Sequence, residues 1–176
     1  MPSRASKRLL CRYLLTCVLC LLGAPTAFSQ SFITNGLVAY YSLNGNANDV
    51  TGRGANGMPS NVTFVTDRFG TPNRAARFAG NSSSVITINS TNLNLPPDFS
   101  ASAWFNFRPN AGTESPRILS VYGYAIATAG TGATRKIHFG NYGTVTVTAK
   151  SAQAYAANTW LHAVAVRSGN QLLVYV

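Results

Sequence analysis

Cysteine is confined to the first 20 residues of this sequence, at positions 11, 17 and 20. A domain that begins after them has no disulfide to stabilise it, so it depends on core burial or on a bound metal ion. Acidic residues are also scarce, because the chain has four Asp and Glu against 14 Lys and Arg. This scarcity argues against functions that need clustered carboxylates, such as retaining glycoside hydrolysis.

No apolar run is long enough to cross a bilayer as a helix, which takes about 20 residues. The run at 13–22 is ten residues long and follows four basic residues. Ala27 and Ser29 then place small residues at the −3 and −1 positions of a cleavage site. This order of segments predicts a secretory signal peptide over 1–29, cleaved near Gln30. We expect the mature protein to be secreted or at the cell surface (extracellular or periplasmic), with a membrane involved only during export.

The rest of the chain predicts a single domain. Residues 30–36 form a short leader, and 37–176 suffice for one domain that buries about 68–70% of its unfolded surface. Ten basic and four acidic residues remain after position 29, which is a net charge of +6. Such a charge favours either an anionic partner or simple solubility, and both interpretations stay open.

Short alternating or β-branched segments divided by Gly, Asn, Pro and Ser recur along the mature chain. They predict strands at 37–43, 61–66, 75–79, 84–88, 99–107, 117–122, 124–129, 135–139, 144–149, 160–167 and 171–176. Ser168-Gly169-Asn170 joins the last two as a tight hairpin. So many strands and turns predict an all-β fold, an antiparallel two-sheet jelly-roll sandwich. No turn follows the last strand, so either its partner lies earlier in the chain or the domain is incomplete at its C-terminus, and we expect the second.

The segment NGNANDVTGRGANG, residues 44–57, is rich in Asn and Gly. Three of its glycines match G-x-G-x-x-G, but a strand rather than a helix is predicted after them, which excludes a dinucleotide site. An EF-hand loop that began at Asn44 would place Ala55 where a bidentate Glu is needed. Two interpretations stay open: a calcium loop of another type built on Asp49 and carbonyl oxygens, or a bend.

Four segments carry a shared pattern of aromatic strands and glycine turns. They are GLVAYYSLNGNANDVTGRGANG at 36–57, DRFGTPNRAARFAG at 67–80, FSASAWFNF at 99–107 and NTWLHAVAVRSGNQLLVYV at 158–176. In this order they resemble the laminin G-like jelly-roll domains of secreted bacterial proteins, within the concanavalin A-like lectin/glucanase superfamily. The resemblance implies the fold over almost the whole mature chain. It implies less about function, because one fold hosts many functions.

The resemblance also implies a structural calcium ion held by the N-terminal loop. Carried over by position, its ligands here are Asp49 and the carbonyl oxygen of Gly52. The sequence departs from the family pattern after Phe78, where Ala79 and later polar residues replace the usual acids. It also lacks the family's closing Gly-x-Ile/Leu-Asp strand.

The laminarinase-type hydrolases of the superfamily carry their two catalytic carboxylates as Glu-x-Asp-x-x-Glu on one strand. This sequence has no such strand, and the only glutamate is Glu114. His138 and His162 have no cysteine or clustered carboxylate that would complete a zinc site. We therefore predict that the chain is not an enzyme by itself. We expect Trp104 and Trp160, which lie within apolar strands, to be core residues. His162 matches a structural histidine of the resembled family, and we expect its imidazole to be packed and hydrogen-bonded.

Aromatic residues beside glycine favour a sugar-binding site, because the C–H groups of a pyranose ring pack on exposed aromatic faces. Tyr122 and Tyr124 flank one glycine, and Tyr142 precedes another. Arg135 and Lys136 lie nearby in the sequence and would select an anionic glycan. The alternative is that these tyrosines only cover loop backbone.

The leading hypothesis is a secreted, non-catalytic module that binds a polysaccharide, a cell-surface glycan or a surface protein. One alternative is a structural spacer of a larger adhesin or polysaccharide-degrading enzyme. Another is the N-terminal fragment of a glycoside hydrolase of the same superfamily. Beyond calcium we expect no cofactor, and we expect no nucleic acid partner, because the arginines are scattered through turns.

Overall fold

The computed structural model describes residues 35–89, 91, 93, 95–109, 116–130, 132–141 and 148–176. The chain divides into two units, Met1–Gly36 and Leu37–Val176, and every strand named below belongs to the second. Among the described residues, no helix has the length and apolar character needed to span a membrane.

The described residues form twelve β-strands, all paired antiparallel. Their bounds are β1 Gly57–Ser60, β2 Val62–Val65, β3 Ala75–Phe78, β4 Val85–Ile88, β5 Phe99–Asn106, β6 Arg117–Val121, β7 Tyr124–Ala129, β8 Thr134–Asn141, β9 Thr148–Lys150, β10 Tyr155–Ala156, β11 Trp160–Ser168 and β12 Gln171–Tyr175. The predicted all-β antiparallel class is therefore confirmed.

The three-stranded sheet has the order β12-β11-β5. Along β5, Phe99 and Phe105 are buried whereas Ser100 and Ser102 are exposed, which is the alternation expected of a strand with one face in the core. The predicted hairpin between β11 and β12 is confirmed, because Ser168 pairs with Gln171 and Gly169 adopts a φ of 54°. A positive φ of this kind suits glycine in a two-residue turn.

The five-stranded sheet has β7 and β8 at its centre. β6 pairs with β7, and both β9 and β10 pair with the far edge of β8. Ile126 lies opposite Phe139 and Thr128 opposite Ile137, and all four side chains are buried. The intervening residues of these strands point to the other face of the sheet, because successive side chains of a strand alternate.

The core lies between these two sheets. Phe99 of the three-stranded sheet meets two aromatic rings of the five-stranded sheet edge-on, Tyr124 at 5.9 Å and Phe139 at 6.3 Å between ring centroids. Leu172 and Val174 of β12 pack against the same cluster. These contacts make the two sheets a sandwich, as predicted.

Two smaller ladders, β1–β4 and β2–β3, complete the described sheets. β1 was not predicted from the sequence, because Gly57 and Pro59 are residue types that rarely occur within strands. Gly57 is needed there, since an added Cβ would lie 2.6 Å from Ile86 Cγ2 and 3.0 Å from the Ala47 carbonyl oxygen. The short β10 was also not predicted.

Two sequence-based expectations about the strands are wrong. Residues 37–43 do not form a strand, and only an isolated bridge between Tyr41 and Asp49 is found there. Trp104 is not in the core, because 47% of its surface is exposed on the outer face of β5, and Trp160 is half-buried. The first part of the predicted strand 144–149 lies outside the described residues.

We expect Phe139→Ala to lower the free energy of unfolding by about 3–5 kcal/mol, because it leaves a cavity at the centre of the core. Phe139 is 1% exposed, whereas Phe78 is 46% exposed. Phe78→Ala is therefore the matched control, and we expect it to cost about 1 kcal/mol or less. Urea denaturation measures both values, and equal losses would contradict this assignment of the core.

Candidate functional site

A surface cavity of about 290 Å³ lies at the turn between β6 and β7. Its lining includes Arg117, Ser120, Tyr122, Gly123 and Ala125. Val121 and Tyr124 also border it, so the cavity contains two of the tyrosines predicted to bind a ligand. Aromatic, basic and hydroxyl groups therefore meet at one concave place on the surface.

The turn geometry presents Tyr122 to solvent. Val121 pairs with Tyr124, so Tyr122 and Gly123 form a two-residue hairpin loop. Both have left-handed backbone conformations, with φ values of 47° and 81°. A positive φ is costly for a bulky residue, and such residues are often found at functional sites. The Tyr122 side chain is 55% exposed, and its hydroxyl donates a hydrogen bond to the Leu93 carbonyl oxygen.

The prediction that Tyr124 presents its ring to a ligand is wrong. The ring packs on Phe99 and Phe139, with centroids 5.9 Å away in both cases. The Arg167 guanidinium lies 5.0 Å from its centroid. Tyr124 therefore joins the core to the cavity wall rather than offering a binding face.

The structure separates the two predicted basic residues. Arg135 is buried and its Nη1 donates a hydrogen bond to Thr128 Oγ1 at 3.2 Å, so it does not fit its predicted role in an exposed site. Lys136 is exposed on the opposite face of β8, and its Nζ donates to the Ala152 carbonyl oxygen at 3.0 Å. Tyr142 lies outside the described residues.

His138 lies on the same face as Lys136, and its partner across the strand pair is Lys150. Burial lowers the pKa of His138, and the positive charges of Lys150 and Lys136 lower it further. Its imidazole is therefore neutral at pH 7. The strand pairing and the alternation within β8 therefore place His138, Lys136 and Lys150 close together on one face.

Asp49 is the organising side chain of the predicted calcium loop. Its Oδ1 accepts hydrogen bonds from the backbone N–H groups of Tyr40 and Thr51, both at 3.0 Å. Its Oδ2 accepts from Thr51 Oγ1 at 2.7 Å. Burial alone would raise the pKa of Asp49, but the hydrogen bonds from Thr51, Tyr40 and Ala55 outweigh it and hold the pKa below its ordinary value.

This arrangement does not fit a calcium ion. Calcium takes six to eight oxygen ligands, whereas the groups that surround the Asp49 carboxylate are N–H and O–H donors with their hydrogens directed at it. Gly52 lies in the same loop, exposed and with a φ of 75°. In the described part of the chain, no group of three or more His, Cys, Asp or Glu side chains is placed to hold a metal. The loop is instead a bend fixed by Asp49.

An aromatic stack that was not predicted from the sequence lies on the outer face of the three-stranded sheet. Trp104 stacks on His162 with a centroid distance of 4.9 Å. The Arg68 guanidinium lies 4.3 Å from the Trp104 ring and 4.2 Å from the Phe69 ring. Asp67 fixes the turn that carries Arg68, because its Oδ1 accepts from the N–H groups at 69 and 71. The stack fastens the β2–β3 turn onto β5.

We expect Asp49→Asn to lower the free energy of unfolding by about 1–3 kcal/mol, because the amide cannot satisfy the same four donors. The unfolding temperature should be unchanged between millimolar calcium and EDTA. Asn48→Ala, in the same loop and exposed, is the control and should unfold like the unsubstituted chain. A melting temperature raised by calcium only while Asp49 is present would contradict this interpretation.

The pH dependence follows from the lowered pKa of Asp49. A carboxyl whose pKa is lower in the folded state stabilises the fold above its ordinary pKa of about 3.9. That stability is lost as the pH falls through the folded-state value. We therefore expect the free energy of unfolding to decline below about pH 4, and Asp49→Asn to make the decline shallower. If the free energy of unfolding declines equally steeply with pH in both proteins, Asp49 does not contribute to the pH dependence.

Comparison with known proteins supports the fold. The sequence model of the Laminin_G_3 family, described as the concanavalin A-like lectin/glucanases superfamily, matches residues 79–176. No curated protein and no solved structure matches the chain. The matched region covers more than half of the chain and includes both main sheets of the sandwich. The chain therefore belongs to the concanavalin A-like lectin/glucanase superfamily.

Proposed function

We propose that this protein is a secreted, non-catalytic carbohydrate-binding module whose ligand occupies the cavity at the β6–β7 turn. The observation that carries the proposal is the exposed ring of Tyr122 beside Arg117 and Ser120. An aromatic face takes up the C–H groups of a sugar ring, and the basic and hydroxyl groups hydrogen-bond its polar substituents. The partner is accordingly a polysaccharide or a cell-surface glycan.

The fixed orientation of Tyr122 supports this function. Its positive φ and its hydrogen bond to Leu93 restrict the ring before any ligand arrives. A group that is already ordered loses less entropy when it binds. The cavity volume of about 290 Å³ lies near the lower end of the usual range of about 300–1,000 Å³ for ligand sites. It suits a short portion of a glycan chain rather than a large ligand.

The positions of the described carboxylates support a non-catalytic role. Asp49 and Asp67 accept backbone hydrogen bonds within their own loops. Asp98 accepts from the Gly169 N–H at 2.8 Å. None of these three lines the cavity. Glycoside hydrolysis needs two carboxyl groups on either side of the scissile bond.

We expect Tyr122→Asn to weaken polysaccharide binding about 2- to 12-fold, the range of one aromatic contact. Asparagine tolerates the left-handed conformation, so the turn is kept while the ring is lost. Tyr175→Asn is the matched control, because Tyr175 is 57% exposed but lies on β12 of the other sheet. Affinity electrophoresis in gels that contain neutral or acidic polysaccharides measures the change.

Two outcomes would contradict the proposal. If both substitutions weaken binding equally, the ligand does not occupy this cavity. If no polysaccharide retards the unsubstituted protein, the structural-spacer hypothesis is favoured instead.

A further inference from the structure

The strand register places basic residues in one row across the five-stranded sheet. Arg117 of β6 lies opposite Ala127 of β7, which lies opposite His138 of β8, which lies opposite Lys150 of β9. Residues directly opposite each other in a sheet point to the same face. With strands about 4.8 Å apart, this row spans about 14 Å.

The row lies on the outer face of the sandwich. Ile126 and Phe139, the neighbours of Ala127 and His138 along their strands, point into the core. Arg117 and Lys150 are exposed, and His138 is half-buried. Lys136 is exposed on the same face, two residues from His138. Three cationic side chains and one titratable side chain therefore share this surface.

The adjacent row is small and polar. It contains Ser120, Ala125, Gly140 and Thr148, which lie opposite one another in that order. The two middle residues are Ala and Gly, so this row has no bulky side chain between its two hydroxyl residues, and both Ala125 and Gly140 are buried. The cavity that contains Tyr122 is lined by Arg117, Ser120 and Ala125, so it opens onto both rows.

Negative charge is absent from this face among the residues that the structure describes. The three described aspartates all lie elsewhere, in the loop at 44–57, in the turn before β3 and next to Gly169. Nothing described there neutralises the lysines. The exposed charges of Lys136 and Lys150 attract anionic ligands, and added salt screens this attraction.

We infer that this outer face binds an acidic polysaccharide, laid across the strands from the Tyr122 cavity to Lys150. The inference rests on the proposed function, because it names the ligand class of the same site. A saccharide that carries carboxylate or sulfate groups matches a row of separated cations, while its sugar rings meet Tyr122. Single-stranded nucleic acid is less suited, because it needs several aromatic side chains on which successive bases stack.

The experiment removes the charges outside the cavity. Lys136→Gln with Lys150→Gln takes two positive charges from the row and leaves Tyr122 and Arg117 in place. Arg74→Gln with Arg77→Gln is the control, because both are exposed in or beside β3 and the change in net charge is the same. The probes are polygalacturonate for carboxylates, dextran sulfate for sulfates, neutral dextran, and single-stranded DNA.

We expect the lysine pair to weaken binding to one or both acidic polymers about 2- to 25-fold, given the usual strength of exposed charge pairs. The arginine pair should change it less than twofold. Binding should fall with added salt in the unsubstituted protein and less steeply in the lysine variant. Neutral dextran should bind more weakly than any acidic polymer whose binding the lysine substitutions weaken.

His138 adds a second readout, because it is flanked by Lys136 on its own strand, Lys150 on β9 and, beyond the uncharged Ala127, Arg117 on β6. Its protonation adds a charge to the row, so binding of dextran sulfate, which stays ionised, should strengthen as the pH falls below the ordinary histidine pKa of about 6.5. His138→Gln should flatten this dependence. A profile that the substitution leaves unchanged would exclude His138 from the surface.

Several results would overturn the inference. If the lysine and arginine pairs weaken binding equally, only net charge matters. If DNA binds as tightly as the acidic polysaccharides and depends equally on the lysines, the ligand class is wrong. If the protein binds neutral polysaccharides more tightly than acidic ones, and only Tyr122→Asn weakens that binding, this inference fails while the proposed function stands. If no polysaccharide binds at all, both fail.

Discussion

The register between β7 and β8 is the constraint on which the rest of the structure depends. It places Ile126 opposite Phe139 and Thr128 opposite Ile137, so that all four close the core beneath the three-stranded sheet. The same register turns Ala127 and His138 outwards. A shift by one residue would exchange the two faces, burying the imidazole and exposing the phenylalanine. The stability of the core and the basic character of the outer face are therefore set together.

Much of the fold could be predicted from the sequence because strand alternation is a local property. The pattern of β5, with Phe99 and Phe105 inward and serines between them, already identifies a strand with one buried face. The local pattern did not predict the strand that begins at Gly57, because this strand depends on the close approach of Ile86 from β4. It also failed at Trp104, since an aromatic side chain on a strand suits the core and an outer stack equally well.

The candidate site was predictable only in part. Glycine next to tyrosine correctly indicated the turn that exposes Tyr122. The sequence analysis assigned Arg135 to the surface. In β8, however, Arg135 is separated from Ile137 and Phe139 by two and four residues, so its side chain points to the same buried face. Counting alternate residues along the strand would have placed it inside. The row that joins Arg117, His138 and Lys150 had no sequence signal, because it depends on pairings between strands that only the folded sheet defines.

The most direct test of this account is to map the amide chemical shifts of the protein during a titration with a sulfated oligosaccharide. If the register creates the binding face, the shifts should change at Tyr122, Gly123, His138 and Lys150. They should stay constant at Leu173 and Tyr175, on the outer face of the other sheet. Changes that concentrate on β12 and around the Trp104 stack, with none on β6–β9, would contradict it.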